Sequence, residues 1–116
     1  MGTYKLVRKE DTPTRNHNDA YSISNYLTKD FNKDFSVVVT ELKDGEHNLT
    51  KNTSSDRIYY FISGNAIFTI DDKQISVKQD DVLFIEKDTF YSFKGTFKAV
   101  LISVPAFTIE HDVDVY

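Results

Sequence analysis

From Phe35 to Pro105 the chain is a series of short apolar runs, each cut off by residues that favour turns. FSVVVTEL (35–42) is followed by Asp44-Gly45, RIYYFI (57–62) by Ser63-Gly64-Asn65, AIFTI (66–70) by Asp71-Asp72, and VLFI (82–85) by Glu86-Lys87-Asp88. Between them Gln74 to Val77 and Phe90 to Phe93 alternate, Asp80-Asp81 and Lys94-Gly95 interrupt, and FKAVLISV (97–104) stops at Pro105. Runs of four to eight residues are strand lengths, and turn signals at this cadence predict a β-sandwich or barrel. Residue choice agrees: 10 Val, 9 Ile and 11 Thr stand against 10 Leu and Ala together, with 9 Phe and 7 Tyr. β-Branched and aromatic side chains suit a pleated surface and lose rotamer freedom in helices, so a helical bundle is excluded. Unalternating runs such as RIYYFI predict strands covered on both faces. Upstream, Tyr4 to Lys9 reads as a short strand and residues 10–19, with Pro13, as loop. Tyr21 to Leu27 fits either a strand or a few helical turns.

At 116 residues the chain fits one domain, 1–116. The absence of cysteine excludes a disulfide framework, a thiolate metal site and a thiol nucleophile. Fourteen basic residues lie scattered among eighteen acidic ones, a net charge of −4, so no nucleic-acid surface is expected. No apolar run approaches the ~20 residues that span a bilayer, and the first residues carry no secretory h-region. Neither a membrane partner nor secretion is expected, and the reading is cytoplasmic. No Ser-His-Asp order, nucleophile elbow or phosphate-binding glycine loop is present.

The words RIYYFISGNAIFTI, DDVLFIEKDTFYSF and VPAF occur in that order, and the stretch from Asp44 to Phe107 resembles the cupin superfamily. Gly64 matches the glycine of the first cupin motif, Asp81 the aspartate of the second, and Val82 to Ile85 its strand. The resemblance implies an all-β jelly-roll barrel, a double-stranded β-helix, with a core over about 34–107 and a short N-terminal extension. It also implies a site. Metal-binding cupins use two His and a Glu from the first motif and one His from the second. Here the Glu position falls on Arg57, the His-x-His positions fall near Lys51 and Thr53, and the last His falls on Tyr91. No metal or other cofactor is therefore expected, because a cation beside Lys51 and Arg57 would meet charge repulsion.

Period two places Tyr59 and Phe61 on the inward face of Arg57, and Phe93 on that of Tyr91. The candidate ligand-binding residues are thus Lys51, Thr53, Arg57, Tyr59, Tyr91 and Phe93. Cations, hydroxyls and rings together suit a sugar, a sugar phosphate or a carboxylate. The competing reading pairs Arg57 with Asp56, Glu41 or Glu86 and lets the tyrosines fill the barrel. An enzymatic alternative is a metal-independent sugar isomerase or epimerase, with Tyr91 or Tyr59 as acid and His47 as base. His47 reaches the barrel mouth only through a bulge or register shift, while His17 and His111 read as surface residues. A third alternative is a structural module. The outward Ile58, Tyr60 and Ile62 predict a homodimer, since such a face is hazardous if left exposed. Asp71-Asp72 and Asp80-Asp81 read as solvated turns.

Overall fold

The computed structural model describes residues 2–108 and 112–115. It contains β1 (Thr14–Asn16), β2 (Tyr21–Leu27), β3 (Ser36–Asn52), β4 (Asp56–Ile70), β5 (Lys73–Lys78), β6 (Val82–Ile85), β7 (Tyr91–Val104) and β8 (Asp112–Val115). A single 3-10 turn covers Lys9–Asp11. Every pairing is antiparallel, in the order β1-β2-β3-β7-β4-β5, with β6 on β4 and β8 on β3. Among the described residues no helix is long and apolar enough to cross a membrane.

Three expected turns are not turns. Asp44-Gly45, Ser63-Gly64-Asn65 and Lys94-Gly95 lie inside β3, β4 and β7, which run on as strands of 17, 15 and 14 residues. They meet at one level, where Gly45 and Ala66 both pair with Gly95 and Gly64 pairs with Phe97. Bulges between Leu42 and Gly45 and between Phe61 and Ser63 sit at the same level. Here the strands crease. Phe61 and Phe68 are seven residues apart, about 23 Å along a straight strand, yet their ring centroids lie 5.7 Å apart. Glycine is the residue for such a corner because two backbones pass with no room for a side chain. At Gly64 φ is +84°, and a Cβ there would fall on the Thr96 carbonyl oxygen and 2.8 Å from Phe97 Cα. Beyond the crease β3, β7 and β4 continue into a second layer. The first layer adds β2 and β6, and the second adds β8 and β5.

The genuine reversals are aspartate turns. Asp71 and Asp72 both have positive φ, 49° and 66°, and join the Ile70↔Lys73 pair as a two-residue hairpin. Asp80 also takes a left-handed backbone, φ 72°, which short polar side chains tolerate. Tyr21–Leu27 is a strand, paired with β1 and β3. The expected strand from Tyr4 to Lys9 does not form: among the described residues no strand pairs with it, and Tyr4 is 95% exposed. Residues 10–19 are not wholly loop, since Thr14–Asn16 pair with Ser24–Ser22.

Alternation along β4 and β7 is as expected, with Arg57, Tyr59 and Phe61 inward and Tyr91, Phe93 and Phe97 inward. Phe61, Phe68 and Phe97 pack edge to face or tilted at 5.3–6.0 Å and close one end of the interior. Phe61 and Phe68 are wholly buried. Replacing Phe68 by Ala is expected to cost about 3–5 kcal/mol. Gly64→Ala is expected to cost at least ~1–3 kcal/mol through strain at the crease. Urea unfolding measures both, and a Gly64→Ala midpoint equal to wild type would remove the crease argument.

Candidate functional site

The other end of the interior is open. Between the layers lies a cavity of about 340 Å³, walled by side chains of β1, β2, β3, β4, β7 and β8 and by Phe107. This is the lower end of the range for small-ligand sites. Arg57, Tyr59, Tyr91 and Phe93 line it.

Arg57 organises its floor. Nη1 donates to Tyr91 Oη at 2.6 Å, and the Tyr91 and Tyr59 hydroxyls are 2.9 Å apart. Nη2 donates to Asp112 Oδ1 at 2.8 Å, and Asn52 Nδ2 donates to the same oxygen at 2.9 Å. Asn52 Oδ1 in turn accepts from the Ser54 and Ser55 amides at 3.0 and 2.8 Å, which holds the β3–β4 turn against the site. Burial works against the guanidinium charge, but Tyr91, Tyr59 and Asp112 reverse the effect, so Arg57 is held above its ordinary value. Its partner is therefore Asp112, not Asp56, Glu41 or Glu86. Nη1 and Nη2 each make one of these bonds, while Nε–H is buried without a hydrogen-bond partner among the described residues.

An aromatic and imidazole wall stands beside this floor. His47 stacks on Phe93 with centroids 4.9 Å apart, and on His17 at 5.0 Å. Tyr21 packs edge-on to His47 at 5.3 Å. The bulge between Leu42 and Gly45 inverts the parity of β3 and turns His47 inward. A second bulge between His47 and Thr50 restores it, so Thr50 and Asn52 face in. Lys51 and Thr53 consequently do not line the cavity, and the Lys51 Nζ lies 4.8 Å over the Phe90 ring instead. His47 Nδ1 lies 2.8 Å from the Asn48 carbonyl oxygen. A carbonyl only accepts, so Nδ1 carries the proton and, in the neutral ring, Nε2 carries the lone pair.

Sequence reasoning missed Asp112, Tyr21, Thr50 and His17. His17 is exposed, as expected, and also lines the cavity. His111 lies outside the described residues. At the positions where the sequence resemblance implies metal ligands, Arg57 takes the place of the carboxylate, its cationic nitrogen against Tyr91, and its charge would repel a cation there. Among the described residues no three His, Asp or Glu gather closely enough to hold an ion.

Two creased antiparallel layers around a cavity open at one end make this chain a cupin-fold protein. Its cavity is lined by arginines, phenols, imidazoles and a carboxylate. Solved structures agree on the fold. Streptomyces Pac13, as a tyrosine-to-phenylalanine variant with uridine, has a TM-score of 0.86 at 22% identity, covering 99% of this chain and 92% of that one. Pac13 is described as a nucleoside dehydratase. KdgF from Halomonas sp. has a TM-score of 0.79 at 10% identity, covering 90% and 96%. Oxalate decarboxylase from Bacillus subtilis has 0.84 at 17% identity, covering 99% of this chain and 33% of that one. Identities this low establish the fold alone. No family model and no curated protein sequence matches the chain.

Burial, then the neighbouring Tyr91, push the Tyr21 and Tyr59 phenols well above their ordinary value of 10.0. In the unfolded chain both ionise near that value. Their contribution is complete below pH ~10 and is lost above it, by up to about 1.4 kcal/mol per pH unit for each tyrosine. Urea melts at stepwise pH above 10 are expected to show this decline, less steep in Tyr21→Phe and Tyr59→Phe. Identical slopes in all three proteins would contradict the burial of these hydroxyls.

Proposed function

We propose that the chain binds a small hydroxylated molecule of the nucleoside or sugar class and moves a proton on it without a metal. The observation that carries this reading is the joint presence, in one cavity, of His47 with a defined tautomer and the Arg57–Tyr91–Tyr59 hydrogen-bond chain. His47 is the general base of this reading. Tyr91 accepts from Arg57 and offers its own O–H to a substrate carbonyl or leaving oxygen. The guanidinium beside it stabilises the negative charge that grows there as the proton moves. Phe93 separates the two groups, stacked on His47 at 4.9 Å and 6.3 Å from the Tyr91 ring centroid. The reaction class is proton abstraction next to a carbonyl, leading to isomerisation or elimination.

Pac13 supports the choice of ligand. Its tyrosine-to-phenylalanine and histidine-to-glutamine variants are solved with uridine, and the cavity here also holds histidines and tyrosines, His17, His47, Tyr21, Tyr59 and Tyr91. The Asp112 carboxylate offsets the charge of Arg57, which shifts the expected ligand from carboxylates and phosphates towards neutral molecules. The open cavity favours binding over a purely structural module.

A thermal-shift series with nucleosides, sugars, sugar phosphates and carboxylates checks the ligand class. At tenfold excess over Kd, binding stabilises by about 1.4 kcal/mol, a Tm rise of roughly 5 °C or more. No rise with any nucleoside or sugar at millimolar concentration rejects the proposal. For a ligand that binds, exchange of carbon-bound hydrogen in D2O is expected to continue in the presence of chelator. His47→Gln or Tyr91→Phe is expected to slow it about 10²–10⁴-fold.

A further inference from the structure

The His47 ring is held on more sides than its own strand explains. It sits on an irregular stretch of β3, where the ladder with β7 shifts both before Gly45 and after His47. Its Nδ1 contact is to the carbonyl of the next residue, Asn48, and moves with the same segment. A fixed ring orientation therefore has to come from other elements. Phe93 of β7 stacks on the imidazole at 4.9 Å, with 21° between the planes. His17, from the turn between β1 and β2, stacks at 5.0 Å and 26°. Among the described residues these two rings make no contact with each other, so they cover opposite faces of the imidazole. Tyr21 of β2 lies across the edges of all three, 5.3 Å from His47, 5.5 Å from Phe93 and 5.9 Å from His17.

His17 differs from the other two rings. Phe93 and Tyr21 are buried members of the core, whereas His17 is exposed, so burial does not account for its place. The turn does. The His17 amide donates to the Tyr21 carbonyl at 2.8 Å, and Asn18 Oδ1 accepts from the Ala20 and Tyr21 amides, each at 2.8 Å. Such an Asx turn fixes the backbone through a short polar side chain. It is anchored on the same Tyr21 whose ring borders the stack. β1 itself is exposed along its length and pairs with β2.

We infer that His17 is a positioning residue for His47: it covers the outer face of the imidazole and stops the ring from swinging away from Phe93 into solvent. His47 is only half-buried and the core lies behind Phe93, so the outward swing is the motion that His17 opposes. His47 as the base comes from the proposed function, and the role of His17 in turnover rests on it. Misplacing a reacting group by about 1 Å costs on the order of a hundredfold in rate. A clamp on the ring therefore acts on turnover rather than on ligand affinity.

Nitrogen NMR of the imidazoles tests the clamp with no ligand present, His47 being assigned by its loss in His47→Gln. At about pH 8, above the ordinary imidazole range, wild-type His47 is expected to show one tautomer, protonated at Nδ1. His17→Ala is expected to move its nitrogen shifts towards a tautomer average. His17→Phe, which keeps a ring on that face, is expected to restore the wild-type pattern. His17 is exposed, so circular dichroism and Tm of both variants are expected to stay near wild type. Wild-type His47 shifts in His17→Ala overturn the inference. So do averaged shifts that His17→Phe leaves unrestored, because a covering ring is then not what orients the imidazole. With a ligand whose carbon-bound hydrogen exchanges, kcat is expected to fall about tenfold or more in His17→Ala, with KM within about twofold of wild type, and to recover in His17→Phe. A rise in KM alone overturns the inference, since His17 would then be a ligand contact. If no ligand exchanges hydrogen, the proposed function falls, and the ligand-free nitrogen shifts still decide the place of His17.

Discussion

The crease through β3, β4 and β7 is the constraint on which the rest of the molecule depends. Three long neighbouring strands bend at one level, and the absence of a side chain at Gly64 and Gly95 lets their backbones pass. The bend brings together rings from both halves of one strand, so that Tyr59 and Phe68 lie 5.3 Å apart. The accompanying bulges do more than accommodate it. Each inverts the inward parity of its strand, and the segment of β3 between its two bulges is the one that turns His47 into the cavity.

On either side of that crease the interior serves two purposes. The phenylalanine cluster holds the layers together, while the remaining space is lined by polar groups, several of which bond to one another. Arg57 could not be buried unpaired, since desolvation of a lone cation costs several kcal/mol. Asp112 and Tyr91 supply its partners, and in doing so β8 is tied to β3 and β4 across the cavity wall. The same bonds that stabilise the charge prearrange the phenols, so the energetics of the fold and the chemistry of the site share one network.

Much of this was legible beforehand, in a specific way. Period two placed Arg57, Tyr59, Tyr91 and Phe93 inward, because alternation is a local property that survives in β4 and β7 on each side of the bend. The step failed at Lys51 and Thr53, where counting back from Gly64 crossed the β3–β4 turn and lost a residue of register. Asp112 was not legible because it lies 55 residues from Arg57, and its pairing exists only once β8 lies against β3. Tyr21 and His17 belong to a short strand pair whose approach to the cavity no local pattern announces.

By itself the sequence determined the all-β class, the inward sets of two strands and the aspartate turns at Asp71-Asp72 and Asp80-Asp81. All of these follow from residue type and local spacing. Only the tertiary structure decided that the glycine-containing breaks are bends rather than reversals, that His47 faces the cavity, and that Arg57 is neutralised by Asp112. Each of these depends on which backbones and charges come together across the fold, and a glycine beside a polar residue satisfies a tight turn and a strand crease equally well.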